Sequence, residues 1–125
     1  MSKVFIPHPV LVPTPDGRRW KFDIQRVADL YGTPTTVFDN SEIALTPDVA
    51  AVECAARFAE LGFDPQIDYF LAGGDMTLYG IMMLVSATAF GITPKQLRHD
   101  RRYDKYNVID SLMVDKEDGT YVSRS

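Results

Sequence analysis

The spacing of hydrophobic residues predicts strands that alternate with helices. Short β-branched, aromatic or aliphatic runs are typical of buried strands, and they occupy 3–6, 35–38 and 67–72. Hydrophobic residues recur three and four positions apart over 24–31 and 49–59, which predicts two helices that each bury one face. Because strands and helices alternate, we expect a small three-layer, Rossmann-like α/β domain whose sheet is mostly parallel.

A third helix is predicted over 76–90, and it is apolar nearly all round. A helix of about 15 residues is about 23 Å long, shorter than a hydrocarbon core of about 30 Å. We therefore expect this helix to lie between the sheet and another layer of protein. Each helix has a residue suited to cap its first turn and a glycine suited to end it: Asp23 and Gly32, Thr46 and Gly62, and Asp75 and Gly91.

Prolines and turn residues determine the predictions for the two ends of the chain. Four prolines predict an extended arm or loop over 7–18, since proline disfavours regular ladder pairing. Towards the C-terminus, 96–102 and 106–113 are expected to form an antiparallel hairpin around Asp104–Lys105. Asp118–Gly119 predicts a second hairpin turn.

Length and composition narrow the classes of protein. A chain of 125 residues predicts one domain, 1–125, and 46% hydrophobic with 24% charged residues argues against wholesale disorder. The single cysteine, Cys54, excludes a disulfide framework or a zinc cluster, and its place among alanines predicts a small buried hydrophobe. The first residues have no signal-peptide hydrophobic region, so we expect a cytoplasmic protein.

Charge is distributed unevenly along the chain. The net charge of −4 comes from 39–75, which holds eight acids and one base. The flanking segments 1–26 and 95–105 each hold five bases and two acids. Both segments also carry aromatic residues. If the segments meet in space, their cations and rings are suited to contact phosphates and stack on bases. If they do not meet, the basic residues form a solvated rim. The candidates for contact with a partner or an anion are Trp20, Arg98, His99, Arg101, Arg102 and Tyr103.

Polar residues and glycines follow the predicted strands, where open α/β sheets bind ligands. The candidate ligand-binding residues are His8, Asp39, Asn40, Gly73, Gly74, Asp75 and Thr77. Gly73 and Gly74 can present backbone N–H groups to an anion, although the Asp75 carboxylate can accept from the same groups itself. Histidines and carboxylates do not occur at metal-ligand spacing, so we predict no metal site and assign no cofactor.

Residues 72–78, Ala-Gly-Gly-Asp-Met-Thr-Leu, resemble the Gly-Gly-Asp-Gly-Thr loop of the NAD kinase and diacylglycerol kinase superfamily. In that superfamily the loop lies at the nucleotide site and its aspartate takes part in catalysis. The resemblance implies a nucleotide site at Gly73–Asp75. Met76 departs from the pattern, since it stands where the superfamily has its second-half glycine.

A longer part of the chain resembles a group of small, uncharacterised bacteriophage and archaeal-virus proteins. The matching segments are Lys3–Pro7, Phe63–Pro65, Asp68–Asp75 and Asp100–Arg102 with Tyr106. The resemblance implies an α/β fold and a viral accessory role in the host cytoplasm, without an established activity. Arg98–His99 departs from it, because those proteins usually have apolar residues before the aspartate that corresponds to Asp100.

Three classes of function fit these residues. The first is a binding protein that holds a nucleotide-like or anionic ligand at the carboxyl edge of the sheet, or docks there on a host or viral protein. The second is an enzyme acting on a nucleotide or phosphate ester, with Asp75 as metal ligand or base and His8 or His99 assisting. The third is a structural protein that assembles into a homo-oligomer. We expect the first, with no catalytic residue and no membrane partner, and the acidic net charge disfavours nucleic acid.

Overall fold

A computed structural model describes residues 2–124. Its strands are β1 (Lys3–Ile6), β2 (Leu11–Thr14), β3 (Gly17–Trp20), β4 (Thr33–Thr36), β5 (Tyr69–Leu71), β6 (Lys95–Asp100), β7 (Lys105–Ile109), β8 (Ser111–Val114) and β9 (Tyr121–Arg124). Its helices are α1 (Ile24–Leu30), α2 (Pro47–Leu61) and α3 (Met76–Phe90), with a 3₁₀ turn at Glu42–Leu45.

One five-stranded sheet has the order β4-β1-β5-β6-β7. Within this sheet, β4, β1, β5 and β6 run parallel to one another, and β7 runs antiparallel to β6. The pairs β2–β3 and β8–β9 form separate antiparallel ribbons. The predicted mixed α/β fold with a mostly parallel sheet and C-terminal hairpins is confirmed. The chain leaves β1 towards β4 on one side and returns to β5 on the other, so a crevice opens at the carboxyl ends of β1 and β5.

The sheet buries apolar side chains on both faces. Successive residues of a strand point to opposite faces, so Phe5 joins the cluster that packs against α2 and α3, while Val4 and Ile6 join the one that packs against α1. The Phe5 ring lies edge-on to Phe58 with centroids 5.6 Å apart. Burial of one such side chain contributes about 1.5–3 kcal/mol. Cys54 is fully buried in the same cluster, as predicted.

Two of the three predicted helix caps form. The Asp23 and Asp75 carboxylates accept the backbone N–H groups of Arg26 (3.1 Å) and Leu78 (3.0 Å). The prediction for Thr46 was wrong, because its hydroxyl donates to the carbonyl of Ile43 and makes no bond to the helix that follows. Proline at the first position still starts α2, since its fixed φ is preorganised for a helix.

Helix α3 ends where the sequence predicts, but its surroundings differ. Its inner side packs on the sheet and α2, while Met76, Leu84 and Phe90 are exposed, so no further layer of the described chain covers it. None of the helices described within residues 2–124 is long and apolar enough to cross a membrane.

The predicted arm over 7–18 contains paired strands instead. β2 pairs with β3, and Pro13 lies opposite Arg18. The N–H of Lys21 donates to the carbonyl of Val10 at 2.8 Å, so these two facing residues form a hydrogen-bonded pair. Hydrogen-bonded and non-hydrogen-bonded pairs alternate along an antiparallel ribbon, so Pro13, three positions after Val10, lies in a non-hydrogen-bonded pair. Its position needs no N–H, which is why proline does not prevent the pairing.

Candidate functional site

A cleft of about 1000 Å³ lies at the carboxyl edge of the sheet, beside the crevice between β1 and β5. The ends of three parallel strands contribute to its wall, through His8 after β1, 72–75 after β5, and Arg98 with His99 on β6. The segment after β3 and helix α1 contribute the opposite wall. The topology thus brings together residues that are far apart in the chain.

The turn between β5 and α3 is held by His8. The Asp75 N–H donates to His8 Nε2 at 3.0 Å, while His8 Nδ1 lies 2.9 Å from the carbonyl oxygen of Pro9. A carbonyl oxygen only accepts, so Nδ1 is the donor of this ring and Nε2 is its acceptor. Gly74 has φ +73° and packs so closely that a Cβ there would lie 2.9 Å from His8 Nε2. The turn therefore requires glycine at this position for both backbone conformation and space.

The cleft is rich in cations that carry no ion pair. Lys21, Arg98 and Arg101 line it, and none of them forms a salt bridge with a carboxylate of residues 2–124. The two acidic residues in the lining, Asp23 and Asp75, are the helix caps, so backbone N–H groups already share their charge. The potential of the cleft is therefore positive although the chain is acidic overall.

Asp104 joins the two basic segments. Arg26 donates from Nη1 to Asp104 Oδ1 (3.2 Å) and from Nη2 to its carbonyl oxygen (2.7 Å). His99 Nε2 lies 3.0 Å from the same carboxylate oxygen. The hydrogen bond with His99 and then the Arg26 charge lower the pKa of Asp104 below its usual 3.8. The segments 1–26 and 95–105 therefore meet in space, and one carboxylate connects them.

Aromatic rings complete the cleft. Tyr106 lies under the Arg26 guanidinium, whose carbon is 5.7 Å from the ring centroid, and burial raises the pKa of its phenol. Phe22 covers the strand end so closely that a Cβ on Gly73 would lie 2.5 Å from Phe22 Cζ. The cleft thus combines cations, glycine backbone and aromatic side chains, which together suit a planar group attached to an anion.

Seven of the predicted site residues line the cleft: His8, Gly73, Gly74, Asp75, Arg98, His99 and Arg101. The others lie outside its lining: Trp20, Asp39, Asn40, Thr77, Arg102 and Tyr103. Four of these six have a clear structural reason. Thr77 is two positions beyond the Asp75 cap, about 200° further round the helix, and is exposed. Asp39 and Asn40 follow β4, an outer strand, and Asn40 accepts the Glu42 N–H at 2.9 Å. Trp20 packs on the α1 side of the sheet.

Several lining residues are not among the candidate site residues that the sequence predicts, including Lys21, Phe22, Arg26 and Tyr106. The charge of 1–26 pointed towards Lys21 and Arg26, and the interleaved aromatic residues towards Phe22 and Tyr106. The sequence pattern did not predict the β2–β3 ribbon, and it is the segment after this ribbon that lies over the strand ends.

The described residues, 2–124, contain no group of three histidine, cysteine, aspartate or glutamate side chains that could hold a metal ion. Burial raises the pKa of the Cys54 thiol to about 12.

Comparison of the chain with protein-family models, with curated proteins and with solved structures gives no match.

Proposed function

We propose that this protein binds a nucleotide-like ligand, a planar group bearing phosphate, in the cleft at the carboxyl edge of the sheet. The observation that carries the proposal is the convergence of Lys21, Arg98 and Arg101 on a cleft whose wall includes Gly73 and Gly74. These three cations have no acidic partner within residues 2–124, so an anionic ligand would gain their charge without breaking an ion pair.

The size and place of the cleft support the same proposal. Its volume of about 1000 Å³ is at the upper end of the range usual for small-molecule sites. Helix α1 packs on one face of the sheet and α2 and α3 on the other. We infer from this packing a three-layer, Rossmann-like arrangement, in which ligands bind where the strand order reverses. With the resemblance to small viral proteins, we also propose an accessory role of that kind.

The proposal is for binding rather than catalysis, because His8, the histidine that contacts Asp75, has both ring nitrogens engaged. Asp75 Oδ1 accepts the N–H of Leu78, and His8 Nε2 accepts the N–H of Asp75 itself. A general base needs a free lone pair within reach of the proton that it removes. Neither nitrogen of His8 offers one, since Nδ1 is occupied by the Pro9 carbonyl.

Isothermal titration calorimetry with nucleoside mono- and diphosphates tests the proposal. We expect saturable binding that weakens at least tenfold in Arg98→Gln and Arg101→Gln, because each removes a charged hydrogen-bond donor worth about 1.5–3 kcal/mol. Arg124→Gln is the matched control, since Arg124 is an exposed arginine on β9 outside the cleft. Equal affinities in all three variants, or no binding, would overturn the proposal.

A magnesium series separates binding from catalysis. The same titrations are run with and without Mg²⁺ on wild type and Asp75→Asn, a substitution that keeps a good helix cap. We expect Asp75→Asn to bind at least as tightly as wild type in both conditions, because the substitution only removes a negative charge from the lining. Mg²⁺-dependent binding that is lost in Asp75→Asn would favour a metal-assisted enzyme instead.

A further inference from the structure

We propose that the cleft takes one nucleotide of a single-stranded nucleic acid, and that the turn between β6 and β7, residues 101–104, holds the neighbouring nucleotide together with Lys105 at the start of β7. This inference rests on the proposed function, because it assumes that the cleft accepts a nucleotide. It adds a second contact surface outside the cleft and names the class of ligand as a polymer.

Tyr103 is the central observation. It is 68% exposed at the tip of the turn, whereas on the α1 side Tyr31 packs against both Tyr69 and Tyr106. The Arg102 guanidinium carbon lies 5.4 Å from the Tyr103 ring centroid and Lys105 Nζ lies 5.7 Å from it. The two cations lie over this exposed ring and offer charges for the phosphates of a strand. A base stacks on the ring once one of these long, flexible side chains moves aside to a phosphate.

Hydrogen bonds join the turn to the cleft. Asp104 has φ +46° and accepts hydrogen bonds at its carboxylate and its carbonyl from Arg26, which is itself part of the cleft lining. Arg101 lines the cleft and stands two residues before Tyr103, a span of at most about 7 Å along the chain. The two surfaces are therefore continuous, with Arg101 at their junction.

The contacts favour a single strand over a duplex. A base can stack on Tyr103 or enter the cleft only when it is not stacked inside a double helix, and unpairing costs a few kcal/mol per base.

The distribution of charge also limits where on the protein a nucleic-acid strand can lie. The turn region 98–105 holds four cations and two carboxylates, while 39–75 holds eight acids and one base. A strand would be attracted to this edge of the sheet and repelled by the acidic remainder.

Fluorescence anisotropy with labelled oligouridylate and oligothymidylate of about eight nucleotides tests the inference, with the free mononucleotide and a hairpin duplex as competitors. We expect the single strands to bind about tenfold more tightly than the mononucleotide, and the duplex to compete weakly. Tyr103→Ala should weaken oligonucleotide binding about tenfold and leave mononucleotide binding unchanged, and Tyr103→Phe should retain wild-type affinity. Tyr121→Ala is the matched control, since Tyr121 is 74% exposed on β9.

The outcomes distinguish this inference from the function on which it rests. If the mononucleotide binds with the expected dependence on Arg98 while oligonucleotides bind no more tightly, the inference is wrong and the proposed function stands. An equal loss in Tyr103→Ala and Tyr121→Ala, or a duplex that competes as well as a single strand, also overturns it. If neither mononucleotide nor oligonucleotide binds, both proposals fall.

Discussion

Substitution of Gly74 by alanine tests the geometry on which the cleft depends. Gly74 has φ +73° in the turn between β5 and α3. A Cβ built on it lies 2.9 Å from His8 Nε2, 3.3 Å from His8 Cδ2 and 3.4 Å from Val10 Cγ2. The first distance is shorter than side chains tolerate, so the imidazole must move. Its movement breaks the hydrogen bond that His8 Nε2 accepts from the Asp75 N–H.

Two separate costs set the expected magnitude. A residue with a Cβ in the left-handed region costs about 1–2 kcal/mol relative to glycine. Loss of the hydrogen bond from the Asp75 N–H adds about 1 kcal/mol, because the donor is partly buried in the turn. We therefore expect Gly74→Ala to lower the free energy of unfolding by about 2–3 kcal/mol.

Gly91→Ala isolates the backbone cost. Gly91 has φ +77°, nearly the same conformation, and a Cβ there meets nothing within 4 Å. This control should lose only about 1–2 kcal/mol. The difference between the two variants then measures the contact with His8. In a His8→Ala background, Gly74→Ala should cost no more than Gly91→Ala does, since the imidazole is gone.

Urea unfolding followed by far-ultraviolet circular dichroism gives the free energies, with the slope of the transition as a check on two-state behaviour. The reasoning is refuted if Gly74→Ala and Gly91→Ala are equally destabilised in the wild-type background. It is also refuted if the cost of Gly74→Ala is the same with and without the His8 side chain, because the two positions would then be uncoupled. In either case the turn is held by something other than the imidazole.

Two further predictions follow from titratable groups. Since burial raises the Cys54 pKa to about 12, the native thiol should react with Ellman's reagent at pH 8 at least tenfold more slowly than in denaturant, and equal rates would contradict its burial. Since hydrogen bonding with His99 lowers the Asp104 pKa below 3.8, the carboxylate should stabilise the fold above about pH 4 and lose that effect as the pH falls through the lowered pKa. The difference in unfolding free energy between wild type and Asp104→Asn should therefore shrink from pH 7 to pH 3, and a difference that stays constant with pH would show that the ion pairs contribute nothing.

Local patterns were sufficient for the succession of the central strands and helices along the chain. The alternation of apolar runs predicted β1, β5 and α3, and the caps at Asp23 and Asp75 placed the starts of two helices correctly. These features depend on interactions within a few residues. The rule that ligands lie beyond strand ends then selected His8 and Gly73–Asp75, which the topology does bring to one cleft.

Features that depend on partners distant in the chain were missed. Nothing near Pro13 shows that its ladder position needs no N–H, because that depends on the register with Arg18. Nothing near Thr46 shows that its hydroxyl donates to Ile43 instead of capping α2. The bonds from Arg26 to Asp104 join residues 78 apart in the chain, and only the folded arrangement brings them together. Helix propensity and hydrophobic period carry no information on such pairings.

The net charge of −4 disfavours an anionic ligand only if every charge acts at the site with equal strength. At about 0.1 M salt the Debye length is about 10 Å, so charges beyond that distance are largely screened. A ligand in the cleft would meet chiefly the charges of the lining, where Lys21, Arg98 and Arg101 form no ion pair with a carboxylate within residues 2–124. The two lining carboxylates, Asp23 and Asp75, each accept a backbone N–H as helix caps. Net charge acts instead on the approach of a polymer, because the acidic segment 39–75 repels the parts that extend away from the cleft. An acidic chain can therefore hold a phosphate at one edge and still reject a long, uniformly charged duplex.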